Sequence, residues 1–422
     1  MSRHGDARTI TGPTANLAHK CFVAVVCAFF YAGLCARAHV ANAYPWMLKH
    51  GQSACSSCHV DPSGGELLTD YGRMVSDDEL SSFSSGDLLG PSAGGLSEPF
   101  FGAGELASGF DAGGSIRLAG LSRSVAGEPD FRVFPMQLDL WTNVSIARRI
   151  ALAASLGASR VPVGSPHGRA AQVTDDQGTG LNLISRTHWL AFDLGDDGET
   201  LLRFGRLNVP FGLRLAEHTS WVREVTQTDR ESDQQHGVAL ALEVAFLRAE
   251  MLAILGNYQV SPDRFRERGF AAHLEFALGS DIALGLNTLL TTAAGDRLDP
   301  GAGRTNRRLY GSTLRMVMLR DLVVLAEADL LRRSRRHFGY VGFARVDYEL
   351  LHGVHLLGTA EILDVGEPEG LLSGSAPGRG EPKLGGWLSI DWFPLTHFNL
   401  RLDAISRQDE PLQLLAQLHV YL

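Results

Sequence analysis

At 422 residues, with charged residues making up 20% of the chain and a formal net charge of −9, the sequence lacks the basic excess that nucleic-acid binding requires. Its mean hydropathy is close to zero, which suits a soluble protein or a transmembrane β-barrel, whose strands alternate apolar and polar residues. Length alone admits two or three ordinary domains, or one large closed sheet with a small appendage.

The first twenty residues carry His4, Arg8, His19 and Lys20, residues 21–34 form an uninterrupted apolar run, and small residues follow as far as Ala41-Asn42-Ala43. A basic region, an apolar stretch shorter than the ~20 residues of a spanning helix and an A-x-A end are the parts of a secretory signal. Residues 1–43 are therefore expected to be a signal peptide cleaved after Ala43. A single membrane anchor is the competing reading, and the shortness of the run weighs against it. Cleavage removes Cys21, Cys27 and Cys35 and leaves Cys55 and Cys58 as the cysteines of the mature chain.

Both lie in Cys55-Ser56-Ser57-Cys58-His59. Two thiols at this spacing can add across the two vinyl groups of haem, and the following imidazole then falls beneath the iron, so C-x-x-C-H is the pattern of c-type attachment. A redox dithiol would need a βαβ setting that the residues before Cys55 do not offer. Zinc would need a second ligand pair. One covalent haem c is expected, held by Cys55 and Cys58, with His59 as the proximal iron ligand. Met47, His50 and Met74 compete for the distal position, Met74 on a helix expected over residues 66–74. We assign His50, five residues before Cys55, and leave open Met47, Met74 or no ligand, since Met74 can equally pack on the porphyrin.

Asp61-Pro62-Ser63-Gly64-Gly65 reads as a turn that starts the next helix. From residue 81 the composition becomes rich in Ser, Gly and Pro, as in linkers. Residues 44–80 are thus a small, mainly helical haem segment, and 81–111 a linker.

From residue 112 to 422 the dominant period is two. Leu138, Leu140, Val144 and Ile146 alternate with Gln137, Asp139, Asn143 and Ser145, and Leu400, Leu402 and Ala404 with Asn399, Arg401 and Asp403. About sixteen such runs of roughly ten residues occur, the length that crosses a bilayer when tilted. Their connections alternate between short ones, such as 147–149, 279–281 and 351–353, and long ones, such as 122–130, 161–181, 207–233 and 365–381. That rhythm predicts an all-β fold, a transmembrane antiparallel β-barrel of about 16 strands with both termini on the periplasmic side. By parity Arg117, Asp139, Arg186, Glu275, Arg315, Glu327, Asp329, Arg345, Asp347, Glu349, Glu361, Arg401 and Asp403 face the lumen. Their mixed signs suit a water-filled path or a set of pairs that plugs it.

The barrel resembles bacterial outer-membrane porins, whose last strand usually ends in an aromatic residue where this chain has Leu422. Gly205 to Arg214 is similar to porin segments where a strand leaves for a loop. Tyr44-Pro45-Trp46-Met47, followed by Cys55-Ser56-Ser57-Cys58-His59-Val60-Asp61-Pro62-Ser63-Gly64-Gly65 and then such a barrel, resembles envelope proteins in which a short cytochrome c segment is fused to a porin-like domain. The expected location is the outer membrane, with the haem segment in the periplasm. The expected partners are periplasmic or surface redox proteins and outer-membrane lipid, but no nucleic acid; a homo-oligomer is left open. The expected function is electron transfer at or toward the cell surface. The alternative is a porin for solute passage with the haem segment as a docking or sensing element. No Ser/His/Asp arrangement, phosphate loop or metalloprotease motif points to an enzyme.

Overall fold

The computed structural model describes residues 45–422 apart from 51–54, 85, 88–89, 91–97, 99–105, 126–127, 161–170, 175–180, 196–198, 216, 218, 245, 258–263, 298–302, 335–337 and 367–381. The expected signal peptide lies outside the described residues.

The period-two runs form antiparallel strands: β1 Phe110–Val125, β2 Glu128–Ala147, β3 Ile150–Arg160, β4 Leu181–Ile184, β5 His188–Asp193, β6 Thr200–Leu207, β7 Gln235–Val244, β8 Leu247–Gly256 and β9 Arg268–Ala277. They continue as β10 Ile282–Ala293, β11 Thr305–Leu319, β12 Leu322–Arg333, β13 Gly339–Leu351, β14 Val354–Asp364, β15 Lys383–Trp392, β16 Phe398–Arg407 and β17 Gln413–Tyr421. β3 pairs with both β4 and β5, which are two halves of one stave, so the seventeen strands make sixteen staves. Pairing of β1 with β17, from Ser115↔Tyr421 to Arg123↔Gln413, closes the ring. The ladder runs to the last residue: Leu422 N–H donates to Gly114 O at 2.8 Å, and Gly114 N–H to Leu422 O at 3.2 Å. A Cβ at Gly113 would lie 2.2 Å from Leu422 O, so only glycine admits this seam.

The outer face is apolar and the inner face polar. On β2, Leu138 and Leu140 are 46% and 53% exposed while Gln137 and Asp139 are 7% and 1% exposed. A surface built this way suits lipid, and a closed sheet leaves no edge for lipid to solvate. The protein is expected to leave envelopes only with detergent and to migrate anomalously in electrophoresis when unheated; recovery in the soluble fraction would contradict the barrel.

Three details differ from expectation. Residues 122–130 are not a long loop, because β1 and β2 stay paired out to Val125↔Glu128, carrying the exposed Phe131 and Val133. The fourth stave breaks at residues 185–187, where Ser155 Oγ accepts the N–H groups of Arg186 and Thr187, both at 2.9 Å, and replaces the ladder. The 81–111 stretch is attached at its start, since Ser82 N–H donates to Phe393 O at 2.8 Å and Phe83 N–H to Pro394 O at 3.2 Å.

Two segments fill the lumen. The first is the N-terminal segment, with a 3₁₀ turn Pro45–His50, α1 (Cys55–Cys58), α2 (Asp70–Val75) and a π turn Ser76–Leu80. The second is the connection between β6 and β7, which carries α3 (Trp221–Thr226). Its Glu217 reaches Arg345 at 2.8 Å and Arg401 at 2.7 Å, its Arg223 pairs with Glu327, and Trp221 N–H donates to Glu361 at 2.9 Å. The charges that parity turned inward are thus mostly paired, some with these two segments and others with neighbours along the wall, such as Glu275 with Arg315 and Asp403 with Arg401.

Candidate haem site

α1 spans the two cysteines, so Cys55 and Cys58 fall one helical turn apart, both buried and both free thiols. After His59 the chain turns as the sequence predicts. Asp61 O accepts Gly64 N–H at 2.7 Å and Asp61 Oδ1 accepts Ser63 N–H at 2.8 Å, while Gly64 and Gly65 both take φ of 81°, a conformation glycine adopts without strain. The strand-like return that follows, with Val60 N–H to Leu67 O at 3.0 Å and Thr69 N–H to Cys58 O at 2.9 Å, explains why the helix expected over 66–74 begins only at Asp70. Thr69 caps it, accepting Gly72 N–H at 3.0 Å and donating its hydroxyl to Ser57 O at 2.7 Å. A Cβ at Gly72 would stand 2.2 Å from Cys58 O, so α2 packs directly on the end of α1.

The segment expected beneath the barrel lies inside its short-turn end. Its contacts run around the wall: Asp61 to Arg203 of β6 at 2.7 Å, Ser56 Oγ to Glu243 of β7 at 2.5 Å, Lys49 to Glu349 of β13, Asp77 to Thr396 in the β15–β16 turn, and Ser76 to Tyr421 of β17 at 3.0 Å. Only a body within the ring can touch staves so far apart. The reason is chemical: Arg203 is fully buried between Asp61 and Glu250 at 2.5 Å, with its guanidinium 5.6 Å over the Trp189 ring. Without the segment Arg203 would lose one of its two carboxylates.

Cys58 and His59 line a cavity that opens toward solvent at one end. Met47, Leu68, Val75, Leu80, Trp141 and Leu215 supply its apolar wall; Arg117, Arg186, Arg214, Arg230, Glu231, His419 and Tyr421 supply the polar part. A second void of about 780 Å³ also touches His59 and is lined by Val60, Leu201, Arg248, Glu250 and His273. Cys55 Sγ faces that side, accepting from Arg248 at 3.0 Å.

Two of the three motif residues meet what a haem would need, since Cys58 and His59 share one cavity, whereas Cys55 lines neither void. Burial, reinforced by the Arg230 charge, pushes His59 down to about 3, which keeps the imidazole neutral as a metal ligand must be. Its Nδ1 is buried without a hydrogen-bond partner. Among the described residues no three or more His, Cys, Asp or Glu side chains converge as a bare ion would require.

Of the sequence candidates for the distal position, only Met47 is brought to the cavity, and it is 1% exposed. Met74 is half exposed, and His50 turns toward Glu79 at 3.8 Å; neither lines either void. His419, bonded through Nε2 to Ser115 Oγ at 2.8 Å, and Tyr421 are cavity residues the sequence reading missed. They lie on the inward face of β17, but nothing in the pattern said that this strand lies against the N-terminal segment.

No family model and no curated protein matches this chain. Solved structures do. OmpT, an outer-membrane protein of Vibrio cholerae in its trimer form, superposes with a TM-score of 0.52 at 10% identity, over 74% of this chain and 99% of that one. The Salmonella typhi OmpF complex with daunomycin gives 0.52 at 9% identity, over 74% of this chain and 97% of that one. At these identities the likeness is one of fold, an outer-membrane porin-like barrel.

Proposed function

We propose that this outer-membrane barrel carries one covalent c-type haem within its bore and transfers single electrons between a periplasmic carrier and the cell surface. The observation that carries this reading is that Cys58 and His59 of the C-x-x-C-H motif open together on a cavity enclosed by the barrel wall. When bound, haem supplies a one-electron couple whose potential follows from axial ligation, hydrogen bonding and burial. Cys55 and Cys58 would hold it covalently and His59 would ligate the iron. Met47, Leu68, Val75, Leu80 and Leu215 would keep water from the ring, and Met47 would be a further residue within the cavity able to hold it.

Placement inside the bore shortens the path across a hydrocarbon layer ~30 Å thick relative to a haem beneath the barrel. A partner redox protein at the outer mouth completes the route. The trimer form of the Vibrio cholerae neighbour supports assembly of this chain into a homo-oligomer.

The second reading, a solute channel with the N-terminal segment as a docking or sensing plug, is favoured by the porin-like fold and opposed by the ion-paired filling of the lumen. An absorption spectrum of the reduced purified protein, taken with single-channel conductance in a planar bilayer, separates the two. A haem spectrum with negligible conductance is expected. Absence of haem together with steady open-channel current would overturn the proposal in favour of the channel.

A further inference from the structure

Most arginines of the lumen are matched by acids. Arg203, Arg223, Arg248, Arg315, Arg345 and Arg401 each reach a carboxylate of the wall, the plug or the α3 connection. Arg117 and Arg230 do not: neither forms an ion pair with a carboxylate among the described residues. Both line the cavity that holds Cys58 and His59.

Arg117 comes from the barrel wall, where its cross-strand neighbours are the uncharged Gln137 and His419. Arg230 comes from the α3 connection, where its guanidinium meets only the backbone oxygen of Gly64. The acids near it are engaged elsewhere, Asp61 with Arg203 and Glu66 with the Thr187 hydroxyl at 2.7 Å. Both guanidiniums are partly exposed at the cavity, with Asp61 and Glu66 acting on Arg230 without pairing with it, so an anion placed there gains from both. Two of them at one cavity describe a dianionic occupant, and a planar fork of N–H donors is matched to carboxylate.

We infer that Arg117 and Arg230 bind the two propionate carboxylates of the haem, an inference that rests on the proposed covalent haem. Haem carries its propionates on the side of the ring away from the vinyl groups that the cysteines capture. Attachment at α1 and charge pairing at the wall and the α3 connection then fix the ring at both edges, and the cofactor ties plug, loop and barrel together. The two positive charges also favour the reduced, less positive iron.

The test uses the full-length protein with Arg117→Gln, Arg230→Gln and both together, reading covalent haem by staining after denaturing electrophoresis and the midpoint potential by spectroelectrochemistry. Arg123→Gln is the control. It removes the same charge from the same strand, but at a partly exposed residue paired with Asp130 at 3.4 Å. Expected are wild-type haem content and a midpoint lowered by roughly tenfold in the redox equilibrium constant per charge removed, about 59 mV for one electron, with the control unmoved. Should the Gln variants fail to load haem, Arg117→Lys and Arg230→Lys, which keep the charge, must load it, and equal failure of both series overturns the assignment. Haem-loaded variants with an unchanged midpoint overturn it too. Wild-type protein without haem defeats instead the function proposed above.

Discussion

Replacing Cys55 and Cys58 together with alanine is expected to abolish all haem that survives denaturing electrophoresis. Thioether bonds hold the cofactor through denaturation, whereas axial ligation by His59 does not. Each thiol is small and buried in α1, while the barrel is held by sixteen paired staves, so the variant should keep its detergent requirement and its heat-dependent migration. That retention separates loss of cofactor from loss of fold. Staining at full strength in the double variant would refute covalent attachment at this motif.

The second large effect is expected from Arg203→Ala. Arg203 lies fully buried between Asp61 of the plug at 2.7 Å and Glu250 of β8, and its removal takes from Asp61 its ion-pair partner while leaving Glu250 with Arg214 at 3.4 Å. Breaking one side of a buried pair costs about 3–5 kcal/mol. Asp61 also accepts from Asn208 at 3.2 Å and from Ser63 N–H, contacts that soften the loss but supply no charge. The loss falls on the joint between plug and wall, so the segment should detach in a fraction of molecules that rises roughly 10²- to 10³-fold. Single-channel recordings should show openings absent from the parent, and protease added from the short-turn side should cut within residues 60–70. Adding Asp61→Asn to Arg203→Met should recover part of the loss, because one orphaned charge is removed along with its partner. Silent, protease-resistant channels in Arg203→Ala would show that the plug is held by other contacts.

How much of this was legible depends on how local the information is. C-x-x-C-H is contiguous, so Cys55, Cys58 and His59 stand out as candidates without any knowledge of the fold. The sixteen staves were legible because a barrel repeats one signal many times, and an error at one strand does not erase the count. The turn at 61–65 was also local. The place of the haem segment was not. Asp61 beside Pro62 reads as a turn residue, and Arg203 is one of many inward charges; their pairing across 142 positions has no local signature. Which of the distal candidates meets the cavity is likewise a matter of packing. Met47 and His50 stand three residues apart, and only the packing of the Pro45–His50 turn against β11 and β12 separates the one that meets the cavity from the one that meets Glu79. The break at 185–187 depends on Ser155 Oγ, an acceptor thirty residues distant that no periodicity displays.

The seam between β1 and β17 has a bearing on timing. The two strands that shut the ring, β1 and β17, lie nearly three hundred residues apart in sequence, so closure waits for the longest-range pairing of the sheet. The N-terminal segment is by then encircled. If the proposed haem is attached, whatever attaches it must act on a peptide that is still outside, before the sheet shuts around it like a bottle blown around a ship. A barrel that shuts too early would hold a bare Cys55 and Cys58 beyond the reach of any enzyme, and a cofactor once enclosed would share the lifetime of the polypeptide that surrounds it.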